Sequence, residues 1–587
     1  MTDDSAVEGG LAEPTELEPD QGSLRLASPE DDWSVTDWER STAAVLRKSR
    51  RMTDEDPDDL VWQKLTRTTL DGIAVTPLGT PDLLQDLQTS GRPERSGDWD
   101  IRAHLSGADA KAANEAALVD LNGGVSSLWL TVDADTDLRT LLNEVLLDLA
   151  PVVLDAPSAP LVAAGALLSL LKERGTTPAP GTNLGADAGA DEAELVAVAR
   201  LALDAGVLGV VVDATKVHDR GASDAQELAH SLVAGVRVLR ALTDAGISAE
   251  DAAGLVEFRY AATAEQFPTI AKLRAARRLW ARVLELSEVS AGSTTGSGGR
   301  VQRQHAVTSR PMMSKYDPWV NMLRTTVAAF AAGVGGADAV TVLPFDSPLG
   351  VPDAFGRRIA RNTSALLISE SHVATVADPA GGSYAVEKLT DDLARAAWEI
   401  FGRLEDGESL DAMVEQTVAR REQEIARRKR PITGVTEFPN LGETLPERPA
   451  DTMAPNVRRY GASFEALRDE PIAQHVFLAT LGPIAAHTAR ATFASNLLAA
   501  GGIAVDVAGA TADVAELVAA YAGQPVVCLA GSDAAYAEWG AEAAAALRGA
   551  GATHVVIAGK PTDYADDAAA MGVDALDFLT RTRGHLQ

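Results

Sequence analysis

Val207-Leu-Gly-Val-Val-Val-Asp213 is apolar up to the aspartate that ends it, and an alanine- and leucine-rich stretch follows over 222–245. A run this short and this apolar reads as a strand covered on both faces, and the longer stretch as a helix that covers it. The same succession recurs outward in both directions. Ser127–Val132, Val152–Asp155 and Ala339–Leu343 read as further strands, and Glu192–Ala205, Pro268–Glu285, Pro318–Gly333 and Val351–Ser369 as helices. Repeated βα units over about 400 residues predict an α/β fold with a parallel sheet, either a (β/α)8 TIM barrel or an open doubly wound sheet, and the pattern favours the barrel.

Around 431–471 the composition shifts to Pro, Glu and Arg without periodicity, which predicts an interdomain linker belt. Beyond it, 472–587 resumes the alternation in compact form. Strands are expected at Val476–Thr480, Ile503–Val507, Val526–Leu529, His554–Ala558 and near Val573, with helices over 488–500, 511–521, 533–549 and 562–571. This is the pattern of a flavodoxin-like doubly wound domain. Residues 1–40 are acidic and aperiodic and read as an N-terminal arm, which leaves 41–430 for the barrel; the Ser- and Gly-rich stretch 290–299 reads as a flexible loop.

The 587 residues carry 52 Lys plus Arg against 84 Asp plus Glu, a formal charge of −32, which disfavours nucleic-acid and anionic-membrane partners. The single cysteine, Cys528, cannot form an internal disulfide, and no Walker phosphate loop occurs. The first basic residue is Arg25 and the longest apolar run, Ala159–Leu171, is short for a membrane span, so a soluble cytoplasmic protein is expected. Asp133, Asp155 and Asp213 end three strands. That position reads as catalytic in a barrel enzyme and, more simply, as helix N-capping. Cys528 lies in an apolar strand and reads as packing rather than nucleophile.

Four longer words narrow the reading. Arg310-Pro-Met-Met-Ser-Lys-Tyr-Asp-Pro-Trp-Val-Asn-Met-Leu-Arg324, Arg358-Ile-Ala-Arg-Asn-Thr363, Asp378-Pro-Ala-Gly-Gly-Ser-Tyr-Ala-Val-Glu387 and Leu389-Thr-Asp-Asp-Leu-Ala-Arg-Ala-Ala-Trp398 resemble the acyl-CoA mutase family, typified by methylmalonyl-CoA mutase. The resemblance runs from about residue 60 to the C-terminus. It implies a barrel that threads coenzyme A, a C-terminal domain that carries adenosylcobalamin, and radical interconversion of methylmalonyl-CoA and succinyl-CoA.

The residues that would do this work are replaced. In catalytic relatives D-x-H-x-x-G after the first strand of the small domain gives cobalt an imidazole, an aspartate that orients it, and a glycine that lets the backbone approach the corrin. The matching segment here is Leu481-Gly-Pro-Ile-Ala-Ala-His-Thr-Ala-Arg490, with Ile484, Ala486 and Ala489 at the three positions. His487 is one residue out of register and reads as an ordinary helix-start histidine. In Trp99-Asp-Ile-Arg-Ala-His104, His104 stands where relatives place an active-site tyrosine. Lys216 falls where relatives place a histidine beside the thioester, unless a slip of two brings His218 there. Val340-Thr-Val-Leu-Pro-Phe-Asp-Ser347 stands where relatives carry a polar word and has lost most of its hydrogen-bonding side chains, with Asp346 remaining.

The resemblance therefore implies no catalytic, cofactor-binding or metal-binding residue on this chain. It implies the small subunit of a heterodimeric methylmalonyl-CoA mutase, an isomerase whose large catalytic subunit is the partner and binds the adenosylcobalamin; Arg430-Pro-Ile-Thr-Gly-Val-Thr-Glu-Phe-Pro-Asn440 and Thr308-Ser-Arg-Pro-Met-Met313 look like the small-subunit variety. Two rivals stand beside it: a self-sufficient cobalamin-dependent mutase, and a non-enzymatic CoA-ester sensor or regulator on the same scaffold.

Overall fold

In the computed structural model, eight parallel strands close into a barrel, and a separate five-stranded parallel sheet follows. The structure describes residues 32–289 and 302–587 except 86, 88, 94, 96 and 453. Residues 1–31 of the acidic arm and the Ser/Gly-rich stretch lie outside the described residues.

Residues 32–68 and 74–78 form a compact unit of their own. Helix Val35–Lys48 starts inside the stretch expected to be arm, because Ser34 and Asp37 form a reciprocal capping box. With helix Leu60–Leu65 it buries Ala43, Leu46 and Val61. Trp38 and Trp62 pack with ring centroids 4.7 Å apart, and Trp62 Nε1 donates to Glu39 at 2.6 Å.

The second unit holds everything from Gly79 onward together with 69–73. The barrel strands are β1 (Asp100–Ser106), β2 (Ser127–Thr131), β3 (Val152–Asp155), β4 (Asn183–Asp187), β5 (Leu208–Asp213), β6 (Val256–Ala262), β7 (Arg303–Thr308) and β8 (Ala339–Thr341). They pair in sequence order, and β8 closes on β1 with Ala339 beside Asp100. β4 bends at Gly185, where the register to β5 shifts. Its φ is +73°, and a Cβ there would lie 1.9 Å from the Leu154 carbonyl oxygen, so only glycine lets β3 and β4 approach this closely.

The last sheet comprises β9 (Val476–Thr480), β10 (Val505–Val507), β11 (Val526–Ala530), β12 (His554–Ile557) and β13 (Asp567–Ala568), in the order β10-β9-β11-β12-β13. This 2-1-3-4-5 order is the flavodoxin-like one. The last strand lies at Asp567–Ala568 rather than near Val573, and the helix expected over 562–571 is absent. Asp566 instead accepts from the Val555 amide at 2.7 Å and from Arg548, pinning that segment to the sheet as an extended edge. Cys528 is buried in β11, and burial pushes its thiol up to about 12, which keeps it protonated and unreactive.

Between the two sheets the chain crosses the barrel as an irregular belt. Val351 donates to the Pro449 carbonyl at 2.8 Å, Arg458 to that of Asp219 at 2.8 Å and Tyr460 to that of Pro311 at 2.9 Å. The 310–324 word is tied to helix Ala462–Asp469 at the end of the belt, whose Phe464 packs into the core of the small domain. The Lys315 amide donates to Glu465 and Tyr316 Oη to Asp469, each at 2.7 Å, while the Arg468 guanidinium lies 3.8 Å over the Tyr316 ring.

Candidate functional site

Two places are set by the fold for chemistry: the interior and C-terminal mouth of the barrel, and the C-terminal edge of the small sheet between β9 and β11, where its strand order reverses. Within the barrel, the inward positions of β1, β6 and β7 are charged or polar, which inverts the usual alternation of a strand. Arg102 and Glu257 are fully buried and joined at 2.7 Å. Arg303 donates to the other Glu257 oxygen at 3.1 Å, Asp100 lies 3.3 Å from Arg303, and Arg102 Nε donates to Ser127 at 3.1 Å. Burial alone would raise the Glu257 carboxyl, but Arg102 and Arg303 hold it below the usual carboxylate range.

One layer nearer the mouth, the Arg259 guanidinium lies 3.9 Å above the Trp129 ring. Its Nη1 donates to Asp213 at 2.8 Å and its Nε to His305 Nδ1 at 3.1 Å, and His305 Nε2 meets Thr341 Oγ1 at 2.8 Å. Trp129 is also flanked by His104, with ring centroids 4.1 Å apart, and His104 Nε2 meets Thr131 Oγ1 at 2.8 Å. Burial, reinforced by the Arg310 and Arg259 charges, pushes His104 down to about 3, so it is neutral at ordinary pH. Burial and neighbouring arginines likewise hold His305 well below its ordinary value. The axis is thus occupied by two stacked layers of bulky, mutually bonded side chains.

The strand-end aspartates are not the helix N-caps that the sequence suggests. Asp155 accepts from Trp129 Nε1 at 3.3 Å, while the helix that follows, Pro160–Arg174, has Ala159 as its cap. Asp213 accepts from the Thr215 amide at 3.0 Å in a cap-like turn, but its other oxygen takes Arg259. Asp133 closes a turn on the Asp135 amide and Thr136 hydroxyl, and Asp137 caps the next helix. The signal that was missed is the arginine at 259, which lies too far along the chain for spacing to link it with 155 or 213.

Lys216 and His218 sit in one short helix, Thr215–Asp219, and face different surroundings. Lys216 Nζ is half-exposed and pairs with Asp187 at 2.6 Å. Burial would lower its pKa, but Asp187 with Asp213 and Asp155 raises it, so the amine stays charged. His218 is buried. Its Nε2 meets Ser309 Oγ at 2.7 Å, and its Nδ1 lies 3.3 Å from Glu227, off hydrogen-bonding geometry. Glu227 in turn receives Lys272 Nζ at 2.7 Å. His218 therefore belongs to a buried network behind the barrel wall. Asp346, the survivor of its word, is fully buried and accepts from Arg448 at 2.6 Å, a belt anchor.

In the small domain, helix Ile484–Ala500 begins directly after Gly482-Pro483, and Gly482 has a φ of +85°. Ile484 is exposed at the first helical position; neither it nor Ala486 nor Ala489 carries a donor atom for a metal. His487 turns back on its own helix start, with Nδ1 3.1 Å from the Gly482 carbonyl, and is buried there. The crevice where the strand order reverses is bridged by side chains. Arg490 donates to the Gly531 carbonyl at 2.7 Å and lies 4.9 Å from the Tyr536 ring centre. Tyr536, at a π-turn in the following helix, accepts from the Gly531 amide at 3.0 Å and reaches the Leu529 and Ala558 carbonyls at 3.0 and 2.9 Å. These residues do not fit a cobalamin: they offer cobalt no ligand at the family positions and fill the crevice with their own hydrogen bonds.

A closed (β/α)8 barrel joined through a belt to a flavodoxin-like domain makes this a two-domain α/β protein. The comparisons make this specific. The methylmalonyl-CoA mutase family profile matches residues 206–523. The methylmalonyl-CoA mutase small subunit of Streptomyces virginiae is 46% identical over 96% of this chain and 98% of its own length. That of Propionibacterium freudenreichii subsp. shermanii is 36% identical over 95% and 96%. A methylmalonyl-CoA mutase of Cereibacter sphaeroides is 33% identical over 51% of this chain and 42% of its own length. The chain belongs to the methylmalonyl-CoA mutase family. No helix among the described residues is long and apolar enough to cross a membrane.

Proposed function

We propose that this chain is the small, non-catalytic subunit of a heterodimeric methylmalonyl-CoA mutase, working in the cytoplasm beside a large subunit that carries the isomerisation of methylmalonyl-CoA and succinyl-CoA. The observation that carries the reading is the filled barrel axis. Arg102, Glu257, Trp129, Arg259 and His305 are each at most 2% exposed and held in two bonded clusters, which supports reading the axis as packed by side chains rather than threaded by a thioester. The donor-free positions Ile484, Ala486 and Ala489 support assigning adenosylcobalamin, which supplies radical chemistry, to the partner. His104 and Lys216 then stand at family catalytic positions without catalytic duty: one is a neutral packing ring, the other an ion pair at the barrel mouth. The near full-length similarity to proteins named small subunits supports the same reading.

Mild affinity purification of the tagged chain from its own cells, with mass identification of whatever co-purifies, tests this. The expected result is a near one-to-one partner bearing D-x-H-x-x-G. Recovery of the chain by itself, turning over methylmalonyl-CoA with added adenosylcobalamin, would favour the self-sufficient mutase instead. Substoichiometric, reversible association would favour the regulator.

A further inference from the structure

Helices Val320–Val334 and Ala354–Ser369 pack side by side outside the barrel, and the side they turn to solvent is nearly free of charge. Trp319 and Leu323 stand exposed at the start of one helix and Phe355 and Leu366 along the other, with Thr326 and Asn362 as the polar members. The spacings 319, 323, 326 and 355, 362, 366 put each set on one side of its helix. The charged side chains of the two helices are otherwise engaged. Arg324 donates to Asn321 and to the Thr433 carbonyl, each at 2.7 Å, and Arg357 and Arg361 flank Asp120. Asp353 and Glu370 lie at the two ends of the second helix. Arg358 alone shares the exposed side, its guanidinium 5.4 Å over the Phe355 ring, and it has no ion-pair partner among the described residues.

The aromatic end of this face is rigid. Buried Phe345 stacks on Trp319 with centroids 4.9 Å apart and meets Phe355 edge-on at 6.0 Å, so one core residue holds both exposed rings. Trp319 is 51% exposed and Leu323 69%, which leaves large apolar side chains in water at fixed positions. Trp and Arg on an apolar centre are what interface hot spots are made of, and rings already locked in place lose little entropy on binding. Two helices about 22 Å long and about 10 Å apart present roughly 400 Å². A stable pair buries about 800 Å² on each partner, with an apolar centre inside a polar rim, and a face of this size fits that centre.

We infer that this two-helix face is the docking surface for the large subunit, whose matching surface is apolar and sets a carboxylate opposite Arg358. The inference rests on the subunit reading proposed above. The occupant is a different chain rather than a second copy, because a charge of −32 on each of two copies opposes self-pairing and the centre of the face offers Arg358 no negative group.

Sedimentation velocity of the full-length chain titrated with the large subunit tests it. The unaltered chains should form a one-to-one complex. Leu323→Glu and Leu366→Glu each set a charge in the apolar centre and should weaken association about a hundredfold or more. Arg358→Glu should weaken it about tenfold, an effect that added salt reduces. Val162→Glu, at an exposed position on helix Pro160–Arg174, should leave it unchanged. Circular dichroism of each isolated variant separates lost docking from misfolding. A full-strength complex with folded Leu323→Glu and Leu366→Glu would overturn the inference and leave the subunit reading standing, whereas no complex between the unaltered chains would overturn both. A homodimer of this chain that Leu323→Glu dissolves would assign the face to a second copy and overturn the inference as well.

Discussion

Replacing Glu257 by Gln removes one charge from the lower layer of the barrel while keeping its shape. The Glu257 carboxylate takes Arg102 at 2.7 Å and Arg303 at 3.1 Å. Without it, the fully buried Arg102 keeps only Ser127 and Asp100, the latter 3.7 Å away. Removing one member of a buried ion pair costs about 3–5 kcal/mol because the other charge is left desolvated. Arg303 is partly exposed and retains Asp100, so the low end applies, about 3 kcal/mol. Unfolding of a chain this large with two sheets need not be two-state, so a local measurement is the sound one. Hydrogen exchange followed by mass spectrometry on peptides covering β6 and β7 should show protection falling by about two powers of ten, at about 1.4 kcal/mol for each, with β12 as an unaffected control. Glu257→Leu combined with Arg102→Met should recover most of the loss, since an apolar pair of similar volume replaces a buried ion pair at little cost. A drop of less than about fivefold in Glu257→Gln, equivalent to roughly 1 kcal/mol, would refute the claim that neutralising Glu257 leaves Arg102 desolvated and unpaired. A double variant less protected than the single one would refute it equally.

Three further outcomes follow from the same physics. Asp71 has its carboxyl pushed up to about 6, first by burial and then by Asp224; the folded chain thus holds this proton more tightly than the unfolded one, the resulting penalty is absent below about pH 4, grows to about pH 6 and then stays at about 3 kcal/mol. Asp71→Asn should therefore raise Tm more at pH 8 than at pH 5, and a gain independent of pH would contradict the assignment. Gly185→Ala should prevent barrel folding, as judged by soluble yield and circular dichroism, whereas Gly246→Ala, also at positive φ but with nothing within 4 Å of its Cβ, should yield folded protein. The His554 and His585 rings stack 3.9 Å apart, and burial with the His585 neighbour lowers His554; the stability this pair contributes is present above about pH 6.5 and lost as pH falls below it, so exchange in helix Ala575–Leu586 should accelerate on acidification, and a flat pH profile would count against it.

The sequence makes half of the barrel plain. β2, β3, β5 and β8 are apolar on both faces, because helices cover them outside and packed side chains inside, and their boundaries fall within two residues of expectation. β1, β4, β6 and β7 are harder to see for one physical reason. Their inner positions carry Asp100, Arg102, His104, Asn183, Glu257, Arg259, Arg303 and His305, so polar residues lie where a buried strand is expected to be apolar. What neutralises them is pairing between strands as far apart as residues 102 and 257, which no local pattern records. Ser34 with Asp37 is the opposite case: the capping box that begins the first described helix is written in four adjacent residues and overrides the acidic composition around it. At the candidate site, the replacement of ligand positions by Ile484, Ala486 and Ala489 is legible as letters. That Tyr536 and Arg490 occupy the crevice, and that Arg259, Trp129 and His305 fill the barrel axis, depends on side chains brought together only by the fold.

The most direct measurement of the central claim is a spectroscopic titration of adenosylcobalamin with the purified chain alone and then with the chain plus its large subunit. The expected result is an unchanged cobalamin spectrum with this chain by itself, and saturable changes together with methylmalonyl-CoA turnover only when the large subunit is present. A stoichiometric spectral change with the isolated chain would contradict it.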